Sequence, residues 1–274
     1  MLRQRTLDAA LGFSAAMIIE RSMHPDWLSN AYLVADEPGG HGVVIDSGGP
    51  SGGLLEKIEA HGITVSHLLL THHHHDHVAE NHVYKQRFGV EILAHPLEAE
   101  RLPDVDGVVE AGERVLTVGG LEIGALHTPG HTDGMLNFVV NGRDVFTGDT
   151  LFRRSVGGVR APASTSFEDL RRSIMDVLMG LDPATRLHPG HTDPTTVGEE
   201  WDDNAFIRLW RGLDSEGEER CTVWDEPATL VLWGDDYDGG HKAWVRWEES
   251  GRDDIVPGSQ VVREEKGRGA AGPA

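Results

Sequence analysis

Short apolar runs separated by turn-forming residues recur along most of the chain. Residues 30–34 (NAYLV), 65–70 (VSHLLL), 121–127 (LEIGALH), 143–146 and 185–188 are too short for helices and too apolar for loops, so each predicts a strand. Another apolar run leads into Asp46 in VVIDSGG, and the dipeptides Gly119-Gly120 and Asn141-Gly142 are hairpin turns between apolar runs. Helical spacing takes over elsewhere. Leu170, Ile174, Val177, Leu178 and Leu181 follow a capping-box-like SFED start and predict one amphipathic helix over 167–181. A second helix opens at Thr196 and runs to about Arg211, with Glu199 and Glu200 in its first turn and Phe206, Leu209 and Trp210 as its apolar contacts. Residues 78–88 read as a short helix.

Beyond Gly212 the pattern becomes strand-like again, at 222–225, 228–233 and 241–247, around the acidic turn DDYDGG at 235–240. Six of the seven tryptophans (Trp201, Trp210, Trp224, Trp233, Trp244 and Trp247) fall in the last quarter or so of the chain, four of them beyond Gly212. They read as the core of a small β-extension rather than an aromatic substrate wall. The acidic turn reads as a solvated loop, because it lacks the spaced oxygen series of a calcium loop. The expected division is a catalytic domain over 1–212, a Trp-rich β-extension over 213–262 and a disordered tail over 263–274.

The chemistry concentrates in HHHHDH, five histidines and one aspartate at six consecutive positions from His72 to His77. Expression tags sit at termini, whereas this run lies at a strand-to-helix turn, where α/β proteins place reactive groups. Alternate residues give His72, His74 and Asp76, with His77 adjacent, a nitrogen and oxygen set suited to zinc or iron. His73 and His75 then point elsewhere. Further donors also follow predicted strands by a few residues: His131 in TPGH, Asp149 in TGD and His191 in PGH. If these strands share direction, their loops converge on one rim.

The series THHHHDH, TPGHTDG, TGDTLF and PGHTDPTTVGEE, over roughly residues 28–212, resembles the metallo-β-lactamase-fold hydrolases, and within them the glyoxalase II (hydroxyacylglutathione hydrolase) branch. The resemblance implies a four-layer αβ/βα sandwich. It also implies one metal on His72, His74 and His131, a second on Asp76, His77 and His191, and Asp149 bridging both, with Asp46 orienting a ligating imidazole from outside. Asp76 and Asp149 are accordingly the candidate catalytic carboxylates. Two divalent transition-metal ions are expected, zinc first, with iron or manganese as alternatives, about 3.5–4 Å apart. Water between them becomes hydroxide near neutral pH and attacks a polarised carbonyl, which points to a thioester or similarly activated acyl substrate. Lactonase, phosphodiesterase, mononuclear iron persulfide dioxygenase and non-catalytic metal binding are the alternatives. No glutamate replaces His74 and no cysteine replaces Asp149, which counts against diiron oxygen reduction and one class of true β-lactamases. The chain departs from the glyoxalase II pattern after TGDTLF, where Arg153 and Arg154, with Arg160, are candidate contacts to a substrate carboxylate.

Composition narrows the partners. The 274 residues carry 24 Lys and Arg against 45 Asp and Glu, a formal charge of −21, which disfavours nucleic acid and anionic membranes. A small-molecule acyl substrate is the expected partner, and no oligomeric state is assigned. Asp8 interrupts the only apolar N-terminal run and no small-residue cleavage site follows, so the N-terminus reads as structured. A single cysteine, Cys221, precludes an internal disulfide and fits a cytoplasmic location.

Overall fold

The computed structural model describes residues 17–264. Its first sheet lays β1 (Ile18–Met23), β2 (Asn30–Ala35), β3 (His41–Ile45), β4 (Thr64–Leu69), β5 (Glu91–Ala94) and β6 (Gly107–Val108) side by side in chain order. The β1–β2 and β2–β3 pairs are antiparallel, and β3 through β6 run parallel. The second sheet begins with β7 (Gly112–Val118), β8 (Leu121–His127), β9 (Leu136–Val140) and β10 (Asp144–Gly148). After a small hairpin of β11 (Leu151–Phe152) and β12 (Ser155–Val156), it is completed by β13 (Arg186–Pro189) and β14 (Thr195–Thr196), in the order β14-β13-β10-β9-β8-β7. Two-residue turns join β7 to β8 at Gly119-Gly120, and Asn141 and Gly142, both at positive φ, open the turn from β9 to β10, as their composition predicts.

Burial follows the pleat. In β2, Ala31, Leu33 and Ala35 pack with Leu54 and Ile58 of α1 (Ser51–His61), while Tyr32 and Val34 face the second sheet. Both faces are covered, which is why the run carries no polar alternation. Between the sheets, Val43, Ile45 and Leu69 meet Ile123, Phe138 and Phe146. The helices complete four layers. α2 (His75–Val78), α3 (Asn81–Phe88) and α4 (Pro96–Ala99) flank the first sheet, and α5 (Phe167–Arg172), α6 (Val197–Asp203) and α7 (Ala205–Trp210) cover the second. Among the described residues no helix is long and apolar enough to cross a membrane.

Three expected helices are interrupted. The 78–88 helix is split at Ala79–Glu80, where Glu80 N–H donates to Ser47 O instead of continuing the helical ladder. After α5, residues Ser173–Val177 widen into a π-helical turn and Leu178–Gly180 tighten into a 3₁₀ turn, while the Ser173 hydroxyl donates to Pro129 O at 2.7 Å. The last helix breaks at Asn204, whose Oδ1 accepts from Phe206 N and caps α7, and whose Nδ2 donates to Glu200.

The C-terminal segment forms a five-stranded sheet rather than three strands: β15 (Glu219–Val223), β16 (Glu226–Asp235), β17 (His241–Trp247), β18 (Asp253–Pro257) and β19 (Val261–Arg263). Arg263 pairs with Cys221 and so belongs to the sheet, not to the expected tail. Residues 265–274 of that tail, and 1–16 of the N-terminus, lie outside the described residues. The tryptophans do not form one core. Trp244, with Val231 and Ile255, packs against Phe167, Leu170 and Phe206 of the main body, while Trp247 packs on the opposite face with Val223 and Val245. Trp244→Ala is therefore expected to cost about 3–5 kcal/mol in a urea titration. Trp224→Ala, at a side chain 45% exposed, should cost far less; equal losses would mean that the sheet is not joined to the main core through Trp244.

Candidate metal centre

Every predicted donor follows the C-terminal end of a strand. Asp46 follows β3 and His72 follows β4, and those strands are parallel. Asp149 and His191 follow the parallel strands β10 and β13. His131 follows β8, which is parallel to β10 because both flank the antiparallel β9. α2 then lifts Asp76 and His77 into the same space.

The outer nitrogen of each of five imidazoles is tied to an oxygen. His77 Nδ1 donates to Asp46 Oδ2 (3.0 Å), His131 Nδ1 to Gly158 O (2.8 Å), His191 Nδ1 to Trp27 O (3.0 Å) and His74 Nε2 to Pro162 O (3.0 Å). Thr71 Oγ1 gives its single proton to Asp46 Oδ2 and so accepts from His72 Nδ1 at 3.0 Å. Each ring therefore turns its other nitrogen inward, the one that can offer a lone pair when the ring is neutral. Asp46 is the hub of this outer layer: it also accepts from Thr71 N at 2.8 Å, and holds a left-handed backbone, φ 54°. A local cost in backbone energy is thus fixed in place by three hydrogen bonds.

The inward atoms converge. His131 Nε2 and His74 Nδ1 are 2.9 Å apart, and His77 Nε2 and His191 Nε2 are 3.4 Å apart. His72 Nε2 and Asp149 Oδ1 are buried without a hydrogen-bond partner among the described residues. Facing lone pairs repel unless a cation lies between them, so the donor set fits metal ions. Three overlapping groups, His72/His74/His131, His72/His77/Asp149 and Asp76/His77/His191, each keep their ligand atoms within 4.8 Å of one another. Asp149 sits among them, Oδ1 3.2 Å from His77 Nε2 and Oδ2 3.5 Å from His131 Nε2 and 3.4 Å from His191 Nε2. Gly190 makes this approach possible, since a Cβ there would lie 2.3 Å from Asp149 Oδ1.

Electrostatics divide the imidazoles. Burial, reinforced by neighbouring imidazoles, holds His72 well below its ordinary value and pushes His131 down to about 4; burial also lowers His74. For His77 and His191 burial works the same way, but Asp149 outweighs it and both are raised. Burial would raise Asp149; His191 and His77 overcome it and hold the carboxylate well below its usual range.

The sequence model of the metallo-beta-lactamase superfamily matches residues 24–191. The chain belongs to this superfamily. It is 34% identical over 198 residues to hydroxyacylglutathione hydrolase GloC of Haemophilus influenzae, an alignment covering 65% of this chain and 92% of that protein. Among solved structures it is similar to ETHE1 from Myxococcus xanthus (26% identity, TM-score 0.62, covering 72% of this chain and 92% of that one). It is also similar to TTHA1623 in a di-iron-bound form (32% identity, TM-score 0.58, 68% and 99%). The superfamily match ends before α6, so the C-terminal sheet lies wholly beyond it.

Some expectations need correction. Arg153 and Arg154 form the exposed turn of the β11–β12 hairpin, and Arg154 lies 3.6 Å from Asp203; neither lines the cavity beside the metal donors. That cavity is lined instead by Arg160, Phe152, Tyr237 and Lys242, among others. The acidic turn is not simply solvated, for it places Tyr237 flat against His191, ring centroids 4.3 Å apart at 22°. Nothing in DDYDGG announces that contact, which depends on how the third sheet docks. His75 is exposed against Trp27, but His73 is more than a bystander. Its imidazole and backbone N–H both bond the fully buried Glu98, which also accepts from Thr132 Oγ1 and Gly134 N. Glu98 thus ties the His72–His77 loop to the His131 loop. His127, which donates to Asp133 O and stacks on His95, and His188, bound to Asp144, stand outside the cluster.

Two predictions follow from this geometry. His73→Ala leaves Glu98 three donors and should keep metal content and turnover within about tenfold, whereas His72→Ala should lose metal outright and Glu98→Ala should fall between them. Metal analysis of the three purified variants ranks them, and a His73→Ala protein as empty as His72→Ala would reverse the assignment. The pH dependence should differ between the two halves of the cluster. His77 and His191, raised in the free protein, must lose protons to bind a cation, so affinity there should climb as pH rises from 6 to 8. The His72/His74/His131 group is already neutral and should change little over that range. Calorimetric zinc titrations in buffers of different ionisation enthalpy count the released protons.

Proposed function

We propose that the protein is a binuclear metal-dependent hydrolase of thioesters or similarly activated acyl compounds. In this reading His72, His74 and His131 hold one ion, Asp76, His77 and His191 a second, and Asp149 both, zinc being the first candidate. The observation that carries it is the position of Asp149, a single buried carboxylate whose Oδ2 lies between His131 of one group and His191 of the other while its Oδ1 faces His77. Such ions, when bound, acidify a coordinated water towards a pKa of about 7 and polarise a carbonyl.

The chain's own residues supply the rest. Asp46, Thr71, Gly158 and the carbonyls of Trp27 and Pro162 fix which imidazole nitrogen faces the reacting group, so little reorganisation is needed. Asp76 is the more open of the two central carboxylates, its side chain 30% exposed against 9% for Asp149. Its Oδ2 faces His77 and His191 and would hold the ion, so a proton would be taken up or passed on at Oδ1. Phe152 and Tyr237 cover His191 and keep bulk water from that side. The similarity to a protein named hydroxyacylglutathione hydrolase supports acyl-thiol chemistry. Convergence of Asp76 and His191 on the cluster favours two ions over a mononuclear iron persulfide dioxygenase, which would use His72, His131 and Asp149 alone.

Purified protein should carry close to two transition-metal ions per chain, and Asp149→Ala should lose most of them. Release of free thiol from S-acyl thiols should stop on chelation and return with zinc, in the absence of oxygen. Oxygen consumption by the iron form with glutathione persulfide, together with no cleavage of any thioester, would replace this reading by the dioxygenase. Lactone and phosphodiester substrates belong in the same panel.

A further inference from the structure

A cavity of about 390 Å³ opens directly beside His131 and Asp149, within the size range of small-molecule sites. With a reacting carbonyl placed at those two residues, the apolar side chains left to its arm are Phe152, Ala161, Ile255, Val256 and Pro257, beside Tyr237 and four charged residues. Three of these five belong to β18 of the C-terminal sheet, beyond the superfamily match.

The two cations of the cavity are already engaged. Lys242 is buried, 6% exposed, and its ammonium donates to Val156 O at 2.7 Å and pairs with Asp236 at 3.0 Å. Arg160 Nε donates to Asp254 Oδ2 at 2.7 Å, and the guanidinium lies 5.2 Å from the ring centroids of both Trp224 and Trp247. An anionic arm would compete with Asp236 for the buried ammonium, or meet the half-exposed outer edge of an Arg160 guanidinium already paired with Asp254, where solvent screening leaves little gain. It would also approach Asp236 and Asp238 in a chain of formal charge −21. A cationic arm finds Asp236 taken by Lys242 and is left with the exposed Asp238, a pairing screened by solvent and worth little. An uncharged arm needs none of these exchanges.

We infer that the C-terminal sheet makes this centre selective for substrates whose arm is uncharged and apolar, against carboxylated arms such as those of acidic peptide thiols. The inference rests on the hydrolase reading for its reacting group, but the arm's preference can be measured without turnover. Equilibrium binding of three thioethers of N-acetylcysteamine, carrying hexyl, 5-carboxypentyl and 6-aminohexyl arms, provides the test on the purified full chain. The hexyl arm should bind about tenfold or more tightly than either charged arm. Ala161→Trp, which fills the cavity from a partly exposed position, should remove most of that affinity, and Ala161→Arg, which adds an unpaired cation, should turn the preference towards the carboxylated arm. Equal or tighter binding of a charged arm by the unaltered protein overturns the inference, and so does hexyl affinity unchanged in Ala161→Trp. If no thioester is cleaved while the hexyl preference holds, the hydrolase reading fails and the arm preference stands. Thioester cleavage with a charged-arm preference does the reverse.

Discussion

Five imidazole nitrogens and two carboxylates are crowded into one small buried space, and the rest of the molecule is arranged to hold them there. The restraint comes from outside the cluster. Each outer ring nitrogen is anchored to an oxygen of a different segment: Asp46 after β3, Thr71 after β4, Gly158 after β12, Trp27 before β2 and Pro162 before α5. Because those oxygens belong to segments far apart in sequence, the donor geometry exists only when both sheets are in register. Glu98 adds a cross-tie of the same kind, with one buried carboxylate spanning two donor loops.

The two sheets provide that register through burial on both faces. A one-residue slip of β2 would send Tyr32 and Val34 towards the helices and Ala31, Leu33 and Ala35 between the sheets, exchanging large residues for small ones in both layers. The Tyr32 hydroxyl would also lose Pro189 O, to which it donates at 2.7 Å two residues before His191. Packing and donor placement are therefore the same constraint at this strand.

Much of this was legible in the sequence, because local signals dominate where a strand must be apolar and a turn must be glycine or asparagine. The strands at 30–34, 121–127 and 185–188, the two hairpin turns and the seven donors all rest on such signals. Apolar spacing predicts continuous helices over 78–88, 167–181 and 196–211 because it cannot report a side chain that competes for the backbone, as Asn204 does, or a widened turn, as at Ser173–Val177. The roles of Glu98, Tyr237 and Lys242 were not legible, since each acts through a contact between segments far apart in the chain. Arg153 and Arg154 drew attention by charge alone, and charge does not say which way a hairpin turn faces.

Ile255, paired with Trp244 in the C-terminal sheet, packs with it into the main body and also lines the cavity. The sheet is thus not an interchangeable cassette. Exchanging it for another module to alter ligand choice would unseal the layer beneath, so ligand choice can diverge only through single replacements along the cavity rim, such as Ala161 and Pro257, that leave the sealing face intact.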